Sequence, residues 1–189
     1  MIFLLISLIL FLPYSVLIIY YRRSWLQVKV FDAVPAGLLE DTPFITVIIA
    51  ARNEEKNIGN CIESIIKQTY PANLFEVIIV DDHSIDSTAA IANSFNQNNI
   101  RVINLNDFTG NKNLNSYKKK AVETAIGFAK GNLIVTTDAD CVVQPQWLHA
   151  IASYYEKTAA VFIAAPVVYN DPLPDDSFFK KFLKNISIA

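Results

Sequence analysis

Glycine is absent from the turn where a phosphate-cradling loop would need it. The segment after the first apolar run reads Ala50-Ala51-Arg52-Asn53-Glu54-Glu55, without the Gly-rich, basic turn that follows the first strand in nucleotidyltransferases of α/β fold. Cysteine is equally scarce. Cys61 and Cys141 are the only two, too few for a disulfide framework and not spaced as metal ligands. The pattern predicts buried free thiols in a reducing compartment. A net charge of −2 provides no basic footprint for nucleic acid. At 189 residues the chain can bury one medium-sized core.

Charge is also missing from the whole of Met1–Tyr21. At ~1.5 Å per residue, such a helix would cross a ~30 Å hydrocarbon layer, and bilayer helices tolerate a residue such as Pro13. Arg22 and Arg23 follow at once, with Tyr20, Tyr21 and Trp25 at headgroup level. Basic residues on the C-terminal flank alone predict that everything after the helix faces the cytosol, at the plasma membrane. A cleaved signal peptide would show a basic start and a small-residue cleavage site, and this segment has neither. Residues 22–43 are expected to form a juxtamembrane connector, punctuated by Pro35-Ala36-Gly37.

Residues 44–170 alternate two periodicities. Phe44–Ala50, Phe75–Val80, Ile100–Leu105 and Leu133–Thr137 are short apolar, β-branched runs, the pattern of strands buried on both faces. Between them, Ile58, Cys61, Ile62, Ile65 and Ile66 fall at helical spacing, with Asn53 as the expected N-cap and Pro71 as the stop. Asp86 or Ser87 is placed to cap a second helix. A polar loop, Asn106–Ser116, leads to a third, Lys118–Lys130, with Gly131 as its C-cap. Gln144–Lys157 reads as a helix and Ala160–Tyr169 as a further strand. The fold class expected is α/β: a mainly parallel, Rossmann-like sheet flanked by helices and preceded by one transmembrane helix. A Pro/Asp loop (Asn170–Asp176) and the start of an amphipathic helix follow, within residues 171–189.

In sheets of this kind ligands bind beyond the carboxyl ends of the strands. Three of those ends carry polar clusters: Ala51–Glu54, Asp81–Ser84 and Asp138–Asp140. The third suggests a metal site, since Asp138 and Asp140 are hard oxygen donors one residue apart at the end of what reads as a buried strand. The alternative is a pair of solvated loop acids or helix caps.

With these residues in view, the chain resembles the inverting, family-2 glycosyltransferases of GT-A fold, from Thr46 to about Tyr169. Val47–Glu55 looks like the family's first strand and turn, Val80–Thr88 like its nucleotide-binding turn, and Thr137–Asp140 like its D-x-D motif. Lys118–Ala121 resembles the helix start that usually follows a glycine. Each motif alone is weak, but four in the right order and context are specific. Ala50 stands where the family usually has proline, and Tyr117 where glycine commonly precedes the lysine. The family's general base and its Gln/Arg/Trp acceptor motif have no counterpart here, so the chain reads as a C-terminally truncated, donor-binding half.

The resemblance implies a nucleoside diphosphate sugar as donor, a glycan or lipid hydroxyl as acceptor, and Mg²⁺ or Mn²⁺ to neutralise the leaving diphosphate. It implies Asp140 on the metal, with Asp138 on the ribose or beside the metal. Asp82 would accept hydrogen bonds from base or ribose; Asp81 would do the same or cap the next helix. Ala51, Arg52 and Glu54 would wall the base pocket, Arg52 stacking on the base, pairing with an acid or lying on the surface. One lysine of the 118–120 run would face the diphosphate, and Lys119 is the one expected to do so. His83 and His149 default to structural roles. A catalytically incomplete, membrane-tethered nucleotide-binding module and a nucleotidyltransferase are the other readings.

Overall fold

A computed structural model of the chain describes residues 2–27, 31, 33, 42–109, 116–165 and 167. The chain divides into two compact units, residues 33–161 and residues 1–32 with 162–189. Most of the expected connector, the stretch 110–115 of the polar loop and everything expected of residues 168–189 lie outside the described residues.

In the larger unit, four strands form one sheet: β1 (Ile45–Ala51), β2 (Phe75–Asp81), β3 (Ile100–Asn104) and β4 (Leu133–Asp138). Their order is β3-β2-β1-β4, and every pairing is parallel. Helices connect them: α2 (Ile58–Ile66), α3 (Thr88–Ser94), the single turn α4 (Asn106–Thr109), α5 (Tyr117–Ile126) and, after β4, α6 (Trp147–Thr158). A 3₁₀ turn, Ala72–Leu74, leads into β2.

The continuous apolar runs of β1 and β2 are explained by cover on both faces. On one face Ile45, Val47 and Ile49 pack with Val77 and Ile79 against Ile58, Ile62 and Ile65 of α2 and Leu148 of α6. On the other, Ile48, Ile78, Val80 and Ile103 pack against Ala121 and Ala125 of α5. Each fully buried isoleucine contributes about 1.5–3 kcal/mol in transfer terms, and β1, one of the two inner strands, supplies three of them. The stripe read from spacing in α2 is the face that α2 buries, with Ile58, Cys61, Ile62 and Ile65 inaccessible to solvent.

Four local expectations need correction. β4 is not a strand buried on both faces: its pairing is with β1, and only Val135 of its six residues is buried. α5 ends at Ile126, capped by Gly127, four residues before the end expected. Gly131 therefore caps nothing; its N–H donates to Oγ1 of Thr46 at 2.9 Å, and a side chain there would collide with the β1 backbone. Finally, residues 159–165 do not join the sheet. Val161 is wholly exposed, and among the described residues no strand lies beside this run to offer it a ladder.

The other unit contributes α1 (Ile2–Leu26), an unbroken helix of 25 residues that contains Pro13. Its large apolar side chains, Phe3, Ile9, Phe11 and Ile19 among them, are exposed around the helix. Among the described residues no helix is long and apolar enough to cross a membrane. The side chains of Leu4, Leu5 and Leu8 fall outside that set, and the run that remains ends in Arg22 and Arg23.

Candidate functional site

The side on which strands are added reverses at β1. β2 and β3 add successively on one side of β1, and β4 returns to the other side. The carboxyl edge of such a sheet is the usual ligand position, and the loop after β4 stays on the α2 side of it, where the Thr69 N–H donates to the Pro145 carbonyl at 2.8 Å. Register brings the three polar strand ends to one level: Ala51 pairs with Asp81, and Ala50 with Asp138.

The β1 and β2 ends are knitted together through their own polar groups. Asn53, which has φ of 55°, is a turn residue, and the N-cap position of α2 belongs to Asn57. The left-handed conformation is one that asparagine tolerates. It lets the Asn53 N–H donate to Oγ of Ser84 at 3.0 Å, while its Oδ1 accepts from the Ile85 N–H at 2.9 Å. The Glu54 N–H donates to Oγ1 of Thr88 at 2.7 Å, and the Ser87 N–H to Oε2 of Glu55 at 3.1 Å.

Asp86 accepts from the hydroxyl and N–H of Thr88 and from the Glu55 N–H. The Thr88 hydroxyl is the main reason its carboxyl titrates below the ordinary 3.8. A folded-state pKa below the unfolded one stabilises the fold above pH 3.8, and that contribution is lost as pH falls through the lowered value. We expect Asp86→Asn to lower the unfolding midpoint at neutral pH and to flatten its decline on acidification below 3.8. Parallel acid titrations of the two chains by circular dichroism check this.

Asp82 and Asp81 sit inside that frame, each about 95% buried. Asp82 accepts at Oδ1 from Nδ1 of His83, 2.8 Å away. A carboxylate can only accept, so the ring hydrogen is on Nδ1. Nη1 of Arg52 lies 3.9 Å from the other oxygen. Asp81 does not cap α3, whose N-cap position belongs to Ser87. Among the described residues its Oδ1 is the one buried side-chain oxygen or nitrogen without a hydrogen-bond partner. Such an atom costs free energy until a donor reaches it, so the unpaired oxygen marks a place for a ligand N–H or O–H.

An aromatic wall stands beside these acids. The ring of Tyr117 meets His83 edge-on at 5.1 Å, and the Arg52 guanidinium lies 5.8 Å from its centroid. Arg52 thus both pairs with an acid and faces a ring, while half of its side chain stays in solvent. Sequence reasoning misses His83 and Tyr117. His83 has no metal-spaced partner to single it out, whereas its left-handed backbone, φ 58°, is what turns the ring back onto Asp82.

The third corner is the end of β4. The strand stops at Asp138, and the Cys141 N–H donates to the Asp138 carbonyl at 3.2 Å, which closes a turn over Ala139-Asp140. The Cys61 thiol touches the same carbonyl at 3.5 Å. Burial pushes Cys61 up to about 12, so it remains a neutral thiol. Cys141 is only partly buried, with its sulfur 3.7 Å from Oδ1 of Asp140. Asp138 and Asp140 are both exposed. The lysine that reaches this corner is Lys118, whose Nζ lies 2.6 Å from Oδ1 of Asp138. Lys119, the residue expected there, is exposed and gives its backbone N–H to the Ser116 hydroxyl that caps α5.

The donor set fits a hard divalent cation of the Mg²⁺ or Mn²⁺ type. Such ions take one or two carboxylates and complete their shell with water and phosphate oxygens. Asp138 and Asp140 supply those carboxylates at the surface, and an ammonium already rests on one of them. Among the described residues no group of three or more acidic, histidine or cysteine side chains forms a self-sufficient metal cage. The site can hold such an ion only with ligand oxygens in its shell. Two open depressions, about 280 and 330 Å³, lie elsewhere, one between α4 and α5 around Phe108 and Phe128, the other around Asn60 and Val142.

Residues 46–185 match the model of glycosyl transferase family 2. The chain belongs to that family. It is 32% identical over 132 residues to glycosyltransferase AglE of Haloferax volcanii, covering 69% of this chain and 41% of that protein. It is 35% identical over 123 residues to 4,4'-diaponeurosporenoate glycosyltransferase of Staphylococcus aureus, covering 65% of this chain and 29% of the other. Among solved structures it is similar to the mannosyltransferase of Pyrobaculum calidifontis in complex with GDP-Man and Mn²⁺. The TM-score is 0.57 at 25% identity, over 74% of this chain and 39% of that one. S. aureus TarS 1-349 in complex with UDP-GlcNAc matches with a TM-score of 0.53 at 26% identity, over 69% and 36%. These likenesses support a GT-A-like fold for the parallel sheet. The matched region spans less than half the length of these relatives.

Proposed function

We propose that this family-2 chain is the donor-binding region of a membrane-anchored glycosyltransferase. It would carry a sugar from a nucleoside diphosphate to a hydroxyl of a glycan or lipid, with inversion, in the synthesis of cell-surface polysaccharide or glycolipid. The observation that carries the reading is the buried, unpaired Oδ1 of Asp81, in register with Ala51 at the edge where Asp138 ends β4.

In this reading Asp81 and Asp82 accept from the base imide and the ribose hydroxyls, which neutral rings offer as donors. Arg52 and Tyr117 provide flat surfaces for the base, and Glu54 holds the pocket wall through its backbone bond to Thr88. Asp138 and Asp140 would hold Mg²⁺ or Mn²⁺, which when bound neutralises the charge that builds on the departing diphosphate. The mannosyltransferase complex with GDP-Man and Mn²⁺ supports the donor class and the metal, and the TarS complex with UDP-GlcNAc supports the donor class. Inversion needs a base on the acceptor, opposite the leaving group, a role that none of these residues takes.

Calorimetric titration of the chain with UDP and GDP, each with and without Mn²⁺, tests the donor reading. Binding of one nucleotide, tightened by Mn²⁺, is the expected result. Absent or metal-independent binding would favour a membrane-tethered binding module instead.

The anchor reading rests on α1. Twenty-five residues of helix span about 37 Å, and the hydroxyls of Ser7 and Ser15 are satisfied by carbonyls one turn back at 2.8 Å, so they need no water. The Arg22-Arg23 flank supports a cytosolic active face at the plasma membrane. Expressed in bacteria, the chain should sediment with membranes through an alkaline wash. Release into the supernatant by the wash would refute an integral anchor.

A further inference from the structure

Lys118 stands where its charge does not serve its own helix. Tyr117 opens α5 and Ser116 caps it, so Lys118 lies in the first turn, at the positive end of the helix dipole. A cation there is unfavourable, and two more lysines follow. What holds the ammonium is Oδ1 of Asp138, 2.6 Å away and 20 residues further along the chain. The pair joins α5 to the end of β4. It also occupies one of the two carboxylates that the donor-site reading gives to a divalent cation. Both partners are well exposed, at 66% and 58%, and exposed pairs are weak. The contact is therefore easily exchanged.

We propose that Lys118 is a stand-in cation that couples metal and nucleotide binding. With the site empty of ligand, its ammonium neutralises Asp138 and competes with the metal. A diphosphate offers Lys118 a second anion within reach of the same flexible side chain. Moving there frees the Asp138 oxygen, so that metal and nucleotide arrive together and each strengthens the other by the same factor. This inference rests on the donor-site reading and deepens it, for it assigns the order and cooperativity of filling to one side chain.

The test is calorimetric titration of the full chain, Lys118→Met and Lys120→Met with Mn²⁺ alone, with UDP alone, and with Mn²⁺ at saturating UDP. Lys120 lies on the same helix but pairs with Glu123 at 3.3 Å, so its loss removes equal charge without touching Asp138. In the unaltered chain, Mn²⁺ alone should bind weakly and tighten markedly with UDP. Lys118→Met should bind Mn²⁺ alone about threefold to fivefold more tightly, the worth of an exposed pair, bind UDP alone more weakly, and show a smaller coupling factor. Lys120→Met should change none of these. An equal gain in Mn²⁺ affinity for Lys120→Met, or no gain for Lys118→Met, overturns the proposal alone. If the unaltered chain binds neither Mn²⁺ nor UDP in any combination, the donor-site reading falls and takes this proposal with it.

Discussion

Replacing Asp138 and Asp140 together by alanine should abolish the tightening of nucleotide binding by Mn²⁺ while leaving the fold intact. Both side chains are exposed at the end of β4, and the turn they occupy is closed by a backbone bond, Cys141 N–H to the Asp138 carbonyl. Neither carboxylate carries packing, so far-ultraviolet circular dichroism and the thermal midpoint should change little. The metal-dependent part of the affinity has no other source in the described site. Metal neutralisation of a diphosphate amounts to several kcal/mol, so the affinity measured with Mn²⁺ should fall by on the order of a hundredfold or more. Metal-free affinity should stay within a few-fold or rise slightly, because two negative charges facing the diphosphate have gone. A double variant that still responds to Mn²⁺ would place the metal elsewhere.

The largest effect on stability should come from Gly131→Ala. A Cβ built at Gly131 lies 2.5 Å from the Thr46 nitrogen, 2.7 Å from the Phe44 oxygen and 2.8 Å from the Thr46 hydroxyl. Two of these are backbone atoms at the start of β1, an inner strand, and cannot swing aside. The neighbouring bonds would be lost with the approach. Oγ1 of Thr46, fully buried, accepts from the Gly131 N–H and donates to Oε1 of Glu76 at 2.8 Å, and the same glutamate oxygen accepts from the Lys130 N–H. Overpacking plus a broken buried network predicts a loss of about 3 kcal/mol. Urea unfolding should show a lower midpoint with an unchanged slope. A midpoint equal to that of the unaltered chain would mean that the loop before β4 can move away from β1 at no cost.

That glycine illustrates where sequence is legible and where it is not. The strands β1 and β2 are evident because burial on both faces leaves an uninterrupted apolar run, and α2 because its stripe falls at helical spacing. The position of Gly131 after a helical pattern mimics a C-cap, since nothing local distinguishes a glycine that ends a helix from one that lets a loop touch a strand. β4 reads as fully buried for a similar reason. Leu133–Thr137 is a short apolar, β-branched run like β1, and its place beside β1 alone among the described strands is a property of the sheet order. Ala160–Tyr169 has the composition of a strand, but its described residues 160–165 enter no ladder, and strand formation requires a partner that composition does not supply.

The candidate site divides in the same way. The acids Asp81, Asp82, Asp138 and Asp140 can be singled out because they end strands, and strand ends in a parallel sheet converge. The choice between Lys118 and Lys119 depends on helix phase. One residue turns a side chain by about 100° around the axis, and the phase of α5 is set by Ser116 and by Tyr117 packing on His83. Tyr117 registers in the sequence only as a departure from a glycine pattern, although its ring meets His83 edge-on and faces the Arg52 guanidinium. His83 is invisible for a conformational reason, because a left-handed backbone at a non-glycine residue has no compositional signature.

The central claim is that three strand ends, far apart in sequence, form one nucleotide- and metal-binding site. Paramagnetic broadening tests it most directly. On a ¹⁵N-labelled chain held in detergent micelles with saturating UDP, sub-stoichiometric Mn²⁺ should broaden amide resonances of all three groups, Ala51–Glu54, Asp81–Ser84 and Asp138–Cys141, and should spare the far end of the sheet around Ile45 and Phe75. Broadening confined to Asp138–Cys141, or spread over surface acids such as Glu63 and Glu123, would contradict a single shared site.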